Sequence, residues 1–154
     1  MRRPLAPAFH HRLPSPPRGD AAHVRRGLAF TRTALALRRP DADRAAVDDL
    51  LLVVAELLAN ADRHAGGPLA LDLCFEPDGH GVRIEVDDPA PDPPRPRSSP
   101  AHEPHGHGLR VVDRLASAWG STPTGSGKTV WAELPLPQAP HPTNAQALTD
   151  TDRT

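Results

Sequence analysis

Glu56-Leu57-Leu58-Ala59-Asn60-Ala61-Asp62-Arg63-His64-Ala65 is the stretch on which the reading of this chain turns. It reads as the second half of a helix. Asp41 or Asp43 offers an N-cap, Val47, Leu50, Val54, Leu57, Leu58 and Ala61 recur at helical spacing, and Gly66-Gly67 stops the run. At about 100° per residue those apolar residues gather on one broad side, with Asp49, Glu56, Asn60, Arg63 and His64 near the other. The apolar side must face a core, so the polar side borders solvent or a site. There a spacing of four sets Glu56, Asn60 and His64 on one stripe, a carboxylate one turn before a carboxamide. The neutral oxygen of Asn60 suits a hard cation such as Mg²⁺, which keeps waters and shares phosphate oxygens with the protein. Glu56 suits orienting or deprotonating an attacking hydroxyl. Alone, E-x-x-x-N is more often an ordinary solvated stripe.

Downstream, Leu69, Leu71, Leu73 and Phe75 alternate with Ala70, Asp72 and Cys74, and Pro77-Asp78-Gly79 turns the chain into Val82, Ile84 and Val86. The pattern predicts an antiparallel hairpin with one apolar face. One further step of the alternation puts Asp88 on that face, beneath the helices. An ionised carboxylate there is costly unless something donates to it, and the exocyclic amino group of adenine is a fitting donor. Past the proline-rich run from Pro89 to Pro104, Gly106-His107-Gly108-Leu109 opens a helix that is expected to reach about Ala118. Glycines before a helix let phosphates approach free backbone N–H groups. Ser121 to Thr124 and Thr129 to Leu134 read as a last hairpin around Gly125-Ser126-Gly127.

Two features mislead. Gly125-Ser126-Gly127-Lys128-Thr129 imitates a P-loop, but the motif needs glycine where Thr122 stands and a helix where Val130 to Leu134 reads as strand. His102, His105 and His107 suggest a metal, but no acidic or cysteine partner completes a site, so they read as solvated loop residues.

Upstream, Ala8 to Leu13 is expected to form a short strand, and His23 to Leu37 a helix that Pro40 ends. The order of helices, hairpin, helix and hairpin predicts an α+β two-layer sandwich, with helices on one face of a mostly antiparallel sheet. The 20 prolines crowd into both ends and into one internal loop, which divides the chain into a tail over 1–7, one domain over 8–137 with a lid loop at 89–105, and a second tail over 138–154. The net charge of -1 supplies no global field for nucleic acid or an anionic membrane, and no tyrosine is present to stack on bases. Cys74 is the sole cysteine, which excludes an internal disulfide and a multi-cysteine zinc site. No segment approaches the roughly 20 apolar residues of a membrane span, and Met1 to Pro17 lacks a signal-peptide core, so a soluble cytoplasmic protein is expected.

Together, in this order, the motifs resemble those of the Bergerat ATP-binding superfamily. Glu56 to Ala65 resembles its N box, Val86-Asp87-Asp88-Pro89 the box whose aspartate holds adenine, Gly106 to Val112 the glycine box, and Gly127-Lys128-Thr129-Val130-Trp131 the terminal strand. The likeness spans about Ala8 to Pro137 and is closest to the single-domain anti-sigma-factor serine/threonine kinases. It implies ATP and Mg²⁺ as cofactors, Glu56 as general base, Asn60 as Mg²⁺ ligand, Asp88 and Thr129 as adenine contacts, and Gly106, Gly108 and Leu109 as the phosphate-binding helix entry. Implied partners are a sigma factor and a STAS-type anti-anti-sigma protein, with homodimer formation left open. The implied activity is transfer of the γ-phosphoryl group to a protein antagonist; the alternative is a nucleotide-responsive regulator that binds its partner without phosphotransfer. Where the family often carries D-x-G-x-G, this chain has Asp88-Pro89-Ala90-Pro91-Asp92, and loss of both glycines predicts a stiffer pocket wall and weaker nucleotide affinity.

Overall fold

Asp43 opens the longest helix, its side chain accepting a hydrogen bond from Ala46 N. Gly66 closes it at φ 72°, a left-handed conformation that glycine adopts without a Cβ penalty. In the computed structural model, which describes residues 9–15, 22–92 and 108–142, this helix is α2 (Arg44–Ala65). Before it come β1 (Phe9–Pro14) and α1 (His23–Arg38), and after it β2 (Ala70–Phe75), β3 (Gly81–Asp88), α3 (Gly108–Leu115), β4 (Ala118–Thr124) and β5 (Gly127–Pro135).

Among the described residues five strands form one sheet in the order β1-β2-β3-β5-β4, and every neighbouring pair is antiparallel. Three helices pack against it, with α2 central: it touches α1, α3, β3 and β5. This is the α+β two-layer sandwich that the order of elements predicts. Leu50, Val53, Val54, Leu57 and Leu58 of α2 meet Leu71, Leu73 and Phe75 of β2, Val82, Ile84 and Val86 of β3, and Val130, Ala132 and Leu134 of β5. Each such side chain, fully withdrawn from water, contributes about 1.5–3 kcal/mol. β1 lies at the sheet edge, where Pro14 leaves no ladder bond unmade.

The last hairpin is longer than its sequence predicts, and the helix before it shorter. α3 ends at Leu115, not near Ala118, because Ser117 turns the chain by donating its N–H and hydroxyl to Glu133 O, and Ala118 then pairs with Glu133. Apolar spacing over Ala116 to Trp119 fits either structure, and strand pairing with β5 decides it. After β5 the chain stays tied to the body: Leu136 N donates to His80 O, Asp43 N to Pro137 O, and Ala139 N to Asp41 O. Gln138 and Ala139 thus extend the packed region past position 137, while most of the expected lid, at 93–105, lies outside the described residues. Among the described residues no helix is long and apolar enough to cross a membrane.

Candidate functional site

The register of β3 and β5 sets Asp88 opposite Lys128 and Asp87 opposite Thr129. Side chains alternate across a strand, so the two pairs face opposite sides of the sheet. Asp88 continues the inward series Val82, Ile84, Val86 and is 2% exposed; Lys128 continues Leu134, Ala132, Val130 backwards and is 4% exposed. Lys128 Nζ donates to Asp88 Oδ1 at 2.8 Å and to Ala90 O at 3.0 Å. Ala90 N also donates to Asp88 Oδ1, at 2.9 Å, so the carboxylate closes a turn over Pro89.

Gly127 tightens the same corner. Its φ is 150°, and a Cβ placed there would lie 2.1 Å from Asp88 O and 2.7 Å from the Pro89 backbone. Only glycine lets the start of β5 come this close to the end of β3. The corner is therefore held by a backbone approach, an ion pair and two hydrogen bonds.

On the outer face Thr129 Oγ1 donates to Asp87 Oδ1 at 2.6 Å. Arg12 joins this group, donating to Asp87 Oδ2 at 3.1 Å and to Asp72 Oδ2 at 2.6 Å, and His10 Nε2 meets Asp72 Oδ1 at 2.5 Å. Burial pulls the Arg12 guanidinium down, but hydrogen bonds and charge from Asp87 and Asp72 outweigh it and hold the group above its ordinary value. Thr129 is consequently not brought to Asp88; the residue at Asp88 is Lys128. Alternation counted back from Val130 carries this signal in the sequence, but the matching of Thr129 to a family threonine obscured it. The P-loop imitation dissolves too, since Lys128 and Thr129 lie inside β5.

Above the corner runs α2. Its C-terminus leads through Gly66-Gly67-Pro68 to β2, whose Ala70 sits opposite Asp87, so the end of α2 and the end of β3 share one edge of the molecule. Asn60 lies six residues before Gly66, about 9 Å of helix rise, and is among the buried residues of α2 although helical spacing sets it beside the polar stripe and not at the centre of the apolar one. It is 7% exposed, and its carboxamide makes no hydrogen bond among the described residues. Glu56 sits one turn earlier and is half-buried. Gly108 begins α3 beside α2, and Leu109 is buried. Gly106 lies outside the described residues, as do His102, His105 and His107.

Among the described residues no three His, Cys, Asp or Glu side chains gather as a metal site. A magnesium held through phosphates needs less, and one carboxamide without a protein partner among the described residues fits that role. A separate small cavity lies between β1 and α1, lined in part by Leu13, His23, Gly27 and Leu58. His23 bonds Asp62 there at 2.8 Å, and none of the predicted site residues lines it.

Residues 18–134 match the histidine kinase-like ATPase domain. Among curated proteins none matches the chain. Among solved structures the chain is similar to the RsbU and RsbW domains of Rv1364c from Mycobacterium tuberculosis, with 20% identity and a TM-score of 0.61 over 89% of this chain and 36% of that one. A likeness at this identity concerns the fold, and the chain spans about a third of the length of that structure.

Proposed function

The chain belongs to the histidine kinase-like ATPase domain family, and from that premise we propose that it binds ATP between α2, β3 and β5 and passes the γ-phosphoryl group to a serine or threonine of a protein antagonist. The observation that carries this reading is a buried carboxylate, Asp88, at the end of β3, together with the unbonded carboxamide of Asn60 on α2, the helix that packs on β3 and β5. Oδ1 of Asp88 already accepts from Lys128 and Ala90, so adenine's amino group would donate to Oδ2.

Asn60 would hold Mg²⁺, which would supply charge neutralisation at the phosphate oxygens. Glu56, one turn away, would accept the proton of the attacking hydroxyl as its oxygen bonds the phosphorus and the bond to the β-phosphate oxygen breaks. Gly108 and Leu109, at the start of α3, would offer backbone N–H groups to the phosphates, and Gly106, two residues earlier in the sequence, would contribute to the same cradle. The RsbU and RsbW domains named in the similar structure favour a sigma factor and a STAS-type antagonist as the partners.

One observation favours a second reading, a nucleotide-responsive regulator without phosphotransfer. The wall after Asp88 has proline and alanine where the family often has glycines, and Lys128 pins Ala90 O, which restricts the movement that closure around ATP asks for. Incubation with γ-labelled ATP, Mg²⁺ and a STAS-domain protein separates the two: label on a serine or threonine of that protein supports the kinase, whereas ATP binding without label leaves the regulator. Within the kinase reading, Glu56→Ala is expected to leave ATP affinity nearly unchanged and to lower transfer by roughly 10² to 10⁴. Equal loss of binding and transfer would make Glu56 a ligand instead of a base. Quenching by ATP of Trp119, which packs against the core, absent with GTP, checks the binding step itself.

A further inference from the structure

We propose that Lys128 is a second base-reading residue, donating to the ring nitrogen beside the amino group that Asp88 accepts; the inference rests on the reading of this corner as a purine site. An ammonium carries three N–H donors and no acceptor, and an ionised carboxylate only acceptors. Two donors of Lys128 are directed at Asp88 Oδ1 and Ala90 O, which leaves one. Both side chains are withdrawn from water, at 5% and 2% exposure, so that donor has little bulk solvent to satisfy it. The pair therefore sets an acceptor and a donor side by side at the end of the sheet.

Adenine has the complementary edge. Its amino group donates and the adjacent ring nitrogen, N1, accepts, so one base meets both partners in one plane. Guanine in the same pose would set its carbonyl oxygen against Asp88 and its N1–H against the ammonium, two mismatches between buried charged groups. A threonine hydroxyl on this side of β5 would reach less far and carry no charge. Lys128 thus acts on base choice, in addition to holding Asp88 and Ala90 in place.

The test compares ATP with 1-deazaadenosine triphosphate, in which C–H replaces N1, by calorimetry with Mg²⁺. The full chain is expected to bind the deaza analogue at least about tenfold more weakly than ATP, the scale of a charge-assisted hydrogen bond. In Lys128→Met that preference disappears and both nucleotides bind with the weaker affinity, while removal of the amino group, in purine riboside triphosphate, weakens binding to both proteins. Circular dichroism establishes that the variant is folded; if it is not, Asp88→Asn with Lys128→Met, which removes both charges together, takes its place, and the N1 preference should again be absent. Equal affinity of the unaltered chain for ATP and the deaza analogue, or an N1 preference that survives loss of the ammonium, overturns the inference alone. Failure of the unaltered chain to bind ATP at all overturns the purine reading and this inference with it.

Discussion

One step along β3 and β5 separates two carboxylates that live in different media. Asp88 and Lys128 meet beneath the helices, almost fully withdrawn from water, whereas Asp87 and Thr129 meet on the open face together with half-exposed Arg12. On the open face Asp87 and Arg12 keep part of their surface in water, although Asp72 beneath Arg12 is as buried as the inner pair. In the interior an ionised group keeps its charge only through the partner opposite it. Acidic and basic residues at neighbouring positions thus carry unequal consequences, and the face decides which can matter to a ligand.

The largest expected contrast is in stability. Lys128→Ala leaves Asp88 as a buried charge without its ammonium and is expected to cost about 3–5 kcal/mol, read from urea denaturation. An unchanged midpoint would mean that the inner corner is wetter than its burial implies.

A smaller effect concerns the thiol on the open face. Cys74 is raised from its usual 9.0 to about 11, by burial first and then by the charges of Glu85 and Asp72. Its sign is that of an acid kept protonated: little thiolate forms at pH 8, and more appears only as pH climbs toward 11. Alkylation at pH 8 is expected to run roughly tenfold or more below that of a free cysteine, since higher thiolate nucleophilicity offsets part of the loss in thiolate fraction. A rate equal to that of free cysteine would make this face as open as bulk solvent and sharpen the contrast with the inner pair.

Smallest is Thr129→Val, which removes one hydrogen bond while Arg12 still serves Asp87. It is expected to cost about 0.5–1.5 kcal/mol of stability and to leave ATP affinity within error. A fall in affinity comparable to that of an Asp88 substitution would break the assignment of the two faces.

Much of the architecture was legible because its signals are local. The N-cap of Asp43, the glycine stop at Gly66, the apolar stripe of α2 and the inward aim of Asp88 all follow from spacing within a few residues. The boundary between α3 and β4 was not, since Ala116 to Trp119 suits helix and strand alike until β5 is present to pair with. Lys128 fell between these cases. Its face could be counted from Val130, but the resemblance directed attention to the adjacent threonine.

Periodicity and capping were written into the chain: which residues turn inward, where α2 begins and ends, and that Glu56 and Asn60 follow one another along one stripe of that helix. Partnership belongs to the folded molecule alone. That Asp88 finds Lys128, 40 residues away, while Asp87 finds Thr129 and Arg12, depends on strand register and on the close approach of Gly127, and both arise only when distant segments are brought together. Neighbours along the chain report direction, but a charge in the interior is satisfied by whatever the fold sets across from it.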